Sequence, residues 1–282
     1  MRLSSVNLIA NDTEITRLDL LRPNASSQYV IKAMVGIDAD EIIPRFYGFS
    51  KDGQKRFYDL KLKQKEIVIR IVMNPRYKLN ESVSEVRDHI YKMVSSDRNG
   101  QLELQFYAGA TVVSRIFGHI VKMEVPYFSN ISELQITVRC QDPMFRGINP
   151  TILEADSLPP GNPLILTDTS STAPHGFKME LLVTEGFSEF VIQDRETNPE
   201  WDFRVIPLLT TFEEDDIIHI SSEFTDRTLY ILRDGNVFVL LDGVVPESAW
   251  PIMFPGANSF YLPQYDSLEI QKVSFNAAYW GV

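Results

Sequence analysis

Side chains able to do chemistry are few in this sequence and stand far apart. There are four histidines and one cysteine. His119 and His219 fall in strand-like runs, His89 beside an apolar helical stripe and His175 in a loop, so no two have the spacing of a zinc-ligand set. Asp38-Ala-Asp40-Glu41 supplies oxygen ligands but lacks the register and central glycine of a twelve-residue calcium loop. Glu213-Glu-Asp-Asp216 is a like-charge run that reads as a solvated loop before a strand. Asn24-Ala-Ser26 fits a glycosylation acceptor, a reading that needs a secretory signal to have meaning. No glycine-rich phosphate loop, nucleophile-elbow motif or paired-histidine zinc helix is found. The expectation is a chain with no catalytic residues, cofactor or metal, and hence not an enzyme.

The stretch from Lys51 to Lys65 interleaves Lys51, Lys55, Arg56, Lys61, Lys63 and Lys65 with Phe57 and Tyr58, a composition that could bind nucleic acid. Asp52 and Asp59 dilute its charge, and Leu60 and Leu62 alternate with the lysines. That pattern predicts a solvated hairpin whose lysines guard an edge against aggregation. The hairpin is expected to run from Gly36 to Lys65 around the turn Ser50-Lys-Asp-Gly53, with Asp38, Asp40 and Glu41 near its start.

The elements around these residues read mostly as strands. Ile67-Val-Ile-Arg-Ile-Val-Met73 is a β-branched run, Leu102, Leu104 and Phe106 alternate with polar partners, and Leu134, Ile136, Val138 and Cys140 share one face. Cys140 is thereby a buried filler rather than a reactive thiol. Val83, Val86, Ile90 and Met93/Val94 recur at helical steps behind Ser82 and Glu85, a capping-box pattern, and Asp97-Arg-Asn-Gly100 supplies a stop. Later runs are short and turn-bounded, including one pair around Asp234-Gly-Asn236, and suit a sandwich.

Composition divides the chain. Over 282 residues the formal net charge is −11, but residues 1–150 hold 21 basic against 17 acidic side chains (net +4) and residues 151–282 hold 6 against 21 (net −15). Ser157-Leu-Pro-Pro-Gly-Asn-Pro163 interrupts both helix and strand near that change, which predicts two domains joined there. The acidic half would repel nucleic acid and anionic lipid. The sequence shows neither a signal-peptide pattern nor a run near the roughly 18 apolar residues that cross a bilayer, so a soluble, cytoplasmically made protein is expected.

Several blocks, in order, resemble siphophage distal tail proteins. They are Lys65–Met73, Val86–Tyr91, Arg115–Val121 and Gln135–Phe145 in the first half. In the second half they are Asp215–Ile220, Thr228–Gly235, Phe254–Asn258 and the closing Tyr279-Trp280-Gly281. The resemblance implies a mainly β protein. Residues 1–150 would form a tail-tube-like β-sandwich with one packed helix, 151–163 a linker, and 164–282 a galectin-type or related β-sandwich. It further implies a hexameric ring at the distal end of the virion's tail. That ring would sit between the tail tube protein and a tail-associated, fibre or receptor-binding protein, and pass DNA without specific binding or membrane insertion. The hairpin's opposite charges would then favour head-to-tail contacts around the ring. Two alternatives remain: another tube or adaptor component, or a carbohydrate-binding module in which Trp201, Trp250 or Trp280 stacks on a sugar.

Overall fold

The computed structural model describes residues 3–10, 13–20, 28–38, 43–49, 55–61, 64–74, 82–95, 102–125, 132–159, 161–194, 202–208, 210–224, 226–246 and 248–282. It is mainly β with one α-helix among the described residues. Two compact units partition the chain: residues 1–42, 62–148 and 279–282 in one, and 43–61 and 149–278 in the other.

The first unit contains β1 (Ser5–Ala10), β2 (Thr13–Leu20) and β3 (Tyr29–Val35). A separate two-stranded hairpin follows in sequence, β4 (Ile43–Phe49) and β5 (Lys55–Lys61), and groups with the second unit. The first unit resumes with β6 (Lys65–Met73), α1 (Val83–Ser95), β7 (Leu102–Ala108), β8 (Thr111–Glu124), β9 (Glu133–Cys140) and β10 (Phe145–Arg146).

Strand pairing corrects the expected sandwich here. Seven strands follow one another as β8-β7-β1-β2-β3-β6-β9, and β9 pairs back onto β8, so the sheet closes into a barrel. The fourteen-residue β8 makes closure possible. Its first part, Thr111–Gly118, pairs with β7, while His119–Glu124 pairs with β9. Gly118 lies at the hand-over, where a Cβ would stand 2.7 Å from Val138 Cγ1 and 2.8 Å from the Arg139 carbonyl oxygen. Alternation of apolar and polar residues is the same in a sandwich and a barrel, which is why the sequence pattern alone does not separate them.

Period-2 burial fills the barrel with Val6, Leu8, Ile67, Ile69, Ile71, Leu104, Phe106, Ile136 and Val138. Cys140 joins this cluster, fully buried as its strand position predicts. Helix α1 adds Val86 and Ile90. Its capping box is formed: Ser82 Oγ accepts from the Glu85 amide at 3.2 Å, and the Ser82 amide donates to Glu85 Oε2 at 2.7 Å. That hydrogen bond holds the Glu85 carboxyl below its ordinary pKa.

The second unit comprises β11 (Thr151–Glu154), β12 (Leu164–Asp168), β13 (Lys178–Val183), β14 (Phe190–Asp194), β15 (Asp202–Val205), β16 (Ile217–Glu223), β17 (Asp226–Arg233), β18 (Asn236–Val239), β19 (Gly256–Tyr261) and β20 (Leu268–Phe275). One sheet runs β11-β20-β13-β16-β17-β18, the other β12-β19-β14-β15. Leu166, Phe190, Ile192, Phe203 and Phe260 of the smaller sheet share one apolar cluster with Met179, Leu181, Ile218, Ile220, Ile231 and Val273 of the larger.

The segment expected as a linker is instead built into this unit. Residues 151–154 pair with β20, Leu158 packs on the apolar cluster, and the Asn162 side chain both donates to the Leu262 carbonyl and accepts from its amide. The chain crosses between units earlier, at residues 148–149, and returns in β21 (Ala278–Tyr279), whose neighbour in the sheet is β10.

Candidate functional site

Lys65, singled out in the sequence as the last lysine of the expected hairpin, is not a surface group. It is 2 % exposed at the start of β6. Its Nζ donates to the Asp38 carbonyl oxygen at 2.6 Å and the Trp280 carbonyl oxygen at 3.4 Å, and lies 4.9 Å from the centre of the Phe145 ring. A buried ammonium is tolerated when carbonyls and an aromatic face replace its water. Lys65 thus ties two distant stretches of the first unit to the barrel, and is removed from the proposed ring contact.

The hairpin exists but is shorter than expected, with Ile43↔Lys61 as its outermost pair and Phe49↔Lys55 nearest the turn. Lys55, Arg56 and Lys61 belong to β5. Asp40, Glu41, Lys51 and Lys63 lie outside the described residues, as do Ser50–Gly53 and the Asp97–Gly100 helix stop. Asp38 lies before β4, not in the hairpin. Among the indoles, Trp250 is half-buried with its ring 4.7 Å from Phe203 and 5.7 Å from the Arg227 guanidinium. Trp280 is half-buried in the first unit, and Trp201 lies outside the described residues.

Two polar sites escaped the sequence reading. On the face of β1, β7 and β8 opposite Leu104 and Phe106, a ladder links Asn7 Nδ2 to the Tyr107 hydroxyl (3.3 Å), Tyr107 to Gln105 Oε1 (3.2 Å) and Gln105 Nε2 to Glu103 (2.9 Å), with Arg115 3.7 Å from Glu103. Strand alternation alone places these residues together, so the signal was in the sequence once the register of β7 and β8 is known.

The second is Asp168 with His175, both buried. Nε2 meets Asp168 Oδ2 at 2.8 Å, and Nδ1 donates to the Gly176 carbonyl at 2.9 Å. Phe275 stacks on the imidazole at 5.4 Å. Burial works to raise the Asp168 pKa, but hydrogen bonds from Ser171, Ser170 and His175 outweigh it and hold the carboxyl well below the usual carboxylate range. The pair has the composition of two of the three members of a hydrolytic triad. Its geometry differs, because the second ring nitrogen faces a carbonyl rather than a hydroxyl to be activated. Another histidine, His219, stacks on Tyr230 at 4.7 Å.

Asp216 corrects the expected solvated acidic loop. Glu213, Glu214 and Asp215 are exposed, yet Asp216 is fully buried and takes a bidentate grip from Arg233, whose Nε and second nitrogen both lie at 2.7 Å. Among the described residues, no group of three or more metal-ligating side chains occurs, and no helix is long and apolar enough to cross a membrane.

No family model matches the chain, and no curated protein matches it. The chain shares its fold with a solved protein, SPP1 Dit, which is described as a paradigm of the hub adsorption apparatus in phages infecting Gram-positive bacteria. The match covers 97% of this chain and 98% of that one at a TM-score of 0.59 and 9% identity, and it establishes a shared fold. A chain of the phage P2 baseplate in its activated, calcium-containing conformation also matches over 99% and 98%, at a TM-score of 0.42 and 9% identity.

Proposed function

We propose that this chain is a structural hub of a siphophage tail tip, assembling with copies of itself into a ring that joins the tail tube to tip or receptor-binding proteins. The observation that carries the reading is the fold shared with SPP1 Dit along 97% of the chain, through both units rather than one. In this reading the role is mechanical, without a catalytic centre, and the ring is a hexamer at the distal end of the virion's tail. The positively charged first half and strongly acidic second half fit two bodies with different neighbours. Electron microscopy of the purified chain, alone and mixed with its tail-tube protein, tests this directly. Rings with a central opening are expected, and particles that stay monomeric in both conditions and never enter tails would overturn it.

A further inference from the structure

We infer that β18 is a docking edge that captures an extended, basic-flanked peptide segment of another protein by strand addition. The inference goes beyond the hub reading and stands or falls separately from ring formation.

β18 ends the six-stranded sheet, with β17 on one side only. Val237, Phe238 and Val239 are 60 %, 42 % and 67 % exposed, and Leu241 just beyond is 40 % exposed. Soluble proteins guard such edges with lysine, proline or a bulge. β18 carries neither residue, and its register with β17 runs without a shift from Arg233↔Asn236 to Tyr230↔Val239.

The hairpin turn fixes which backbone groups face outward. Asp234 and Gly235 have φ of 50° and 76°, the two-residue turn with both central residues left-handed. Its closing pair, Arg233↔Asn236, is hydrogen-bonded, so Phe238 also bonds inward to Ile231, and the Leu240 amide donates to the Leu229 carbonyl at 3.0 Å. Val237 and Val239 fall at the intervening positions, where N–H and C=O point away from β17. Neither has a backbone partner among the described residues. Their side chains continue an outer face already bearing Leu232 and Tyr230.

Charge selects the occupant. Asp234 sits in the turn and Asp242 follows the strand, both exposed, while the exposed Glu213–Asp215 run meets the turn end through the Arg233–Glu213 ion pair. Arg233, the nearest cation, is consumed by Asp216 and Glu213. A second copy paired antiparallel would set Asp234 against Asp242 at both ends. A segment with apolar residues at alternate positions and lysine or arginine at its ends instead finds open hydrogen bonds, an apolar strip and acids at both ends.

The test titrates the full chain with a fluorescein-labelled peptide of alternating valine and threonine ended by lysine pairs, and with its glutamate-ended counterpart. The lysine-ended peptide should bind at least about tenfold tighter. Val239→Pro, which removes an outward N–H and no inward bond, should weaken binding at least about tenfold, while Val239→Thr stays within about twofold. Amide exchange on the unaltered chain should show Val237 and Val239 gaining protection when peptide is added. Undetectable binding, equal affinity for the two peptides, unprotected amides, or sedimentation showing that β18 pairs two copies of the chain would each overturn the inference.

Discussion

Two buried ionic residues, Asp168 and Lys65, make contributions to stability that single substitutions can measure. Asp168 has a depressed folded-state pKa, so its contribution to stability is present at neutral pH and disappears as protonation sets in on acidification. Urea unfolding of the unaltered chain should lose stability from about pH 4 downward, and Asp168→Asn should flatten that limb while costing about 2–3 kcal/mol at pH 7. An acid limb identical in both proteins would remove Asp168 as its source. Lys65→Ala should cost about 2–4 kcal/mol, because the Asp38 and Trp280 carbonyls lose a shared donor inside the barrel. Neither role was readable from the sequence. Lys65 opens a β-run and closes a lysine-rich stretch of sequence, and His175 stands seven positions from Asp168, in what reads as a loop. What makes each special is a partner supplied by folding.

Elements were more legible than sites. The alternation in β6, β7 and β9 and the helical stripe with its Ser82–Glu85 cap depend on local periodicity, and each formed where the sequence placed it. Closure of the barrel was not legible, since it depends on one strand changing partners midway at a glycine. Gly118→Val should therefore destabilise the first unit by about 2–3 kcal/mol, read as an earlier melting transition. A hydrophobic substitution absorbed without loss would mean that β8 and β9 can separate at little cost. In the hub reading, β5 is the element whose charge matters. Lys55→Glu, Arg56→Glu and Lys61→Glu together should weaken ring assembly at low salt and leave the melting profile unchanged, whereas intact rings at every salt concentration would dismiss an electrostatic contact there.

At the scale of the whole molecule, the division between units does not follow the proline-rich segment. Proteolysis should spare Pro159–Pro163, because Asn162 and Leu158 are held within the second unit, and a fragment of residues 149–278 should unfold cooperatively by itself. Residues 279–282 complete the first unit, and β21 lies beside β10 in the same sheet. Departure and return of the chain are thus hydrogen-bonded neighbours, a few ångströms apart across one strand spacing. Such an arrangement makes residues 149–278 an insertion with adjoining ends: recombination at two sites close in space but distant in the gene can exchange it as one piece, the 43–61 hairpin staying with the rest of the chain.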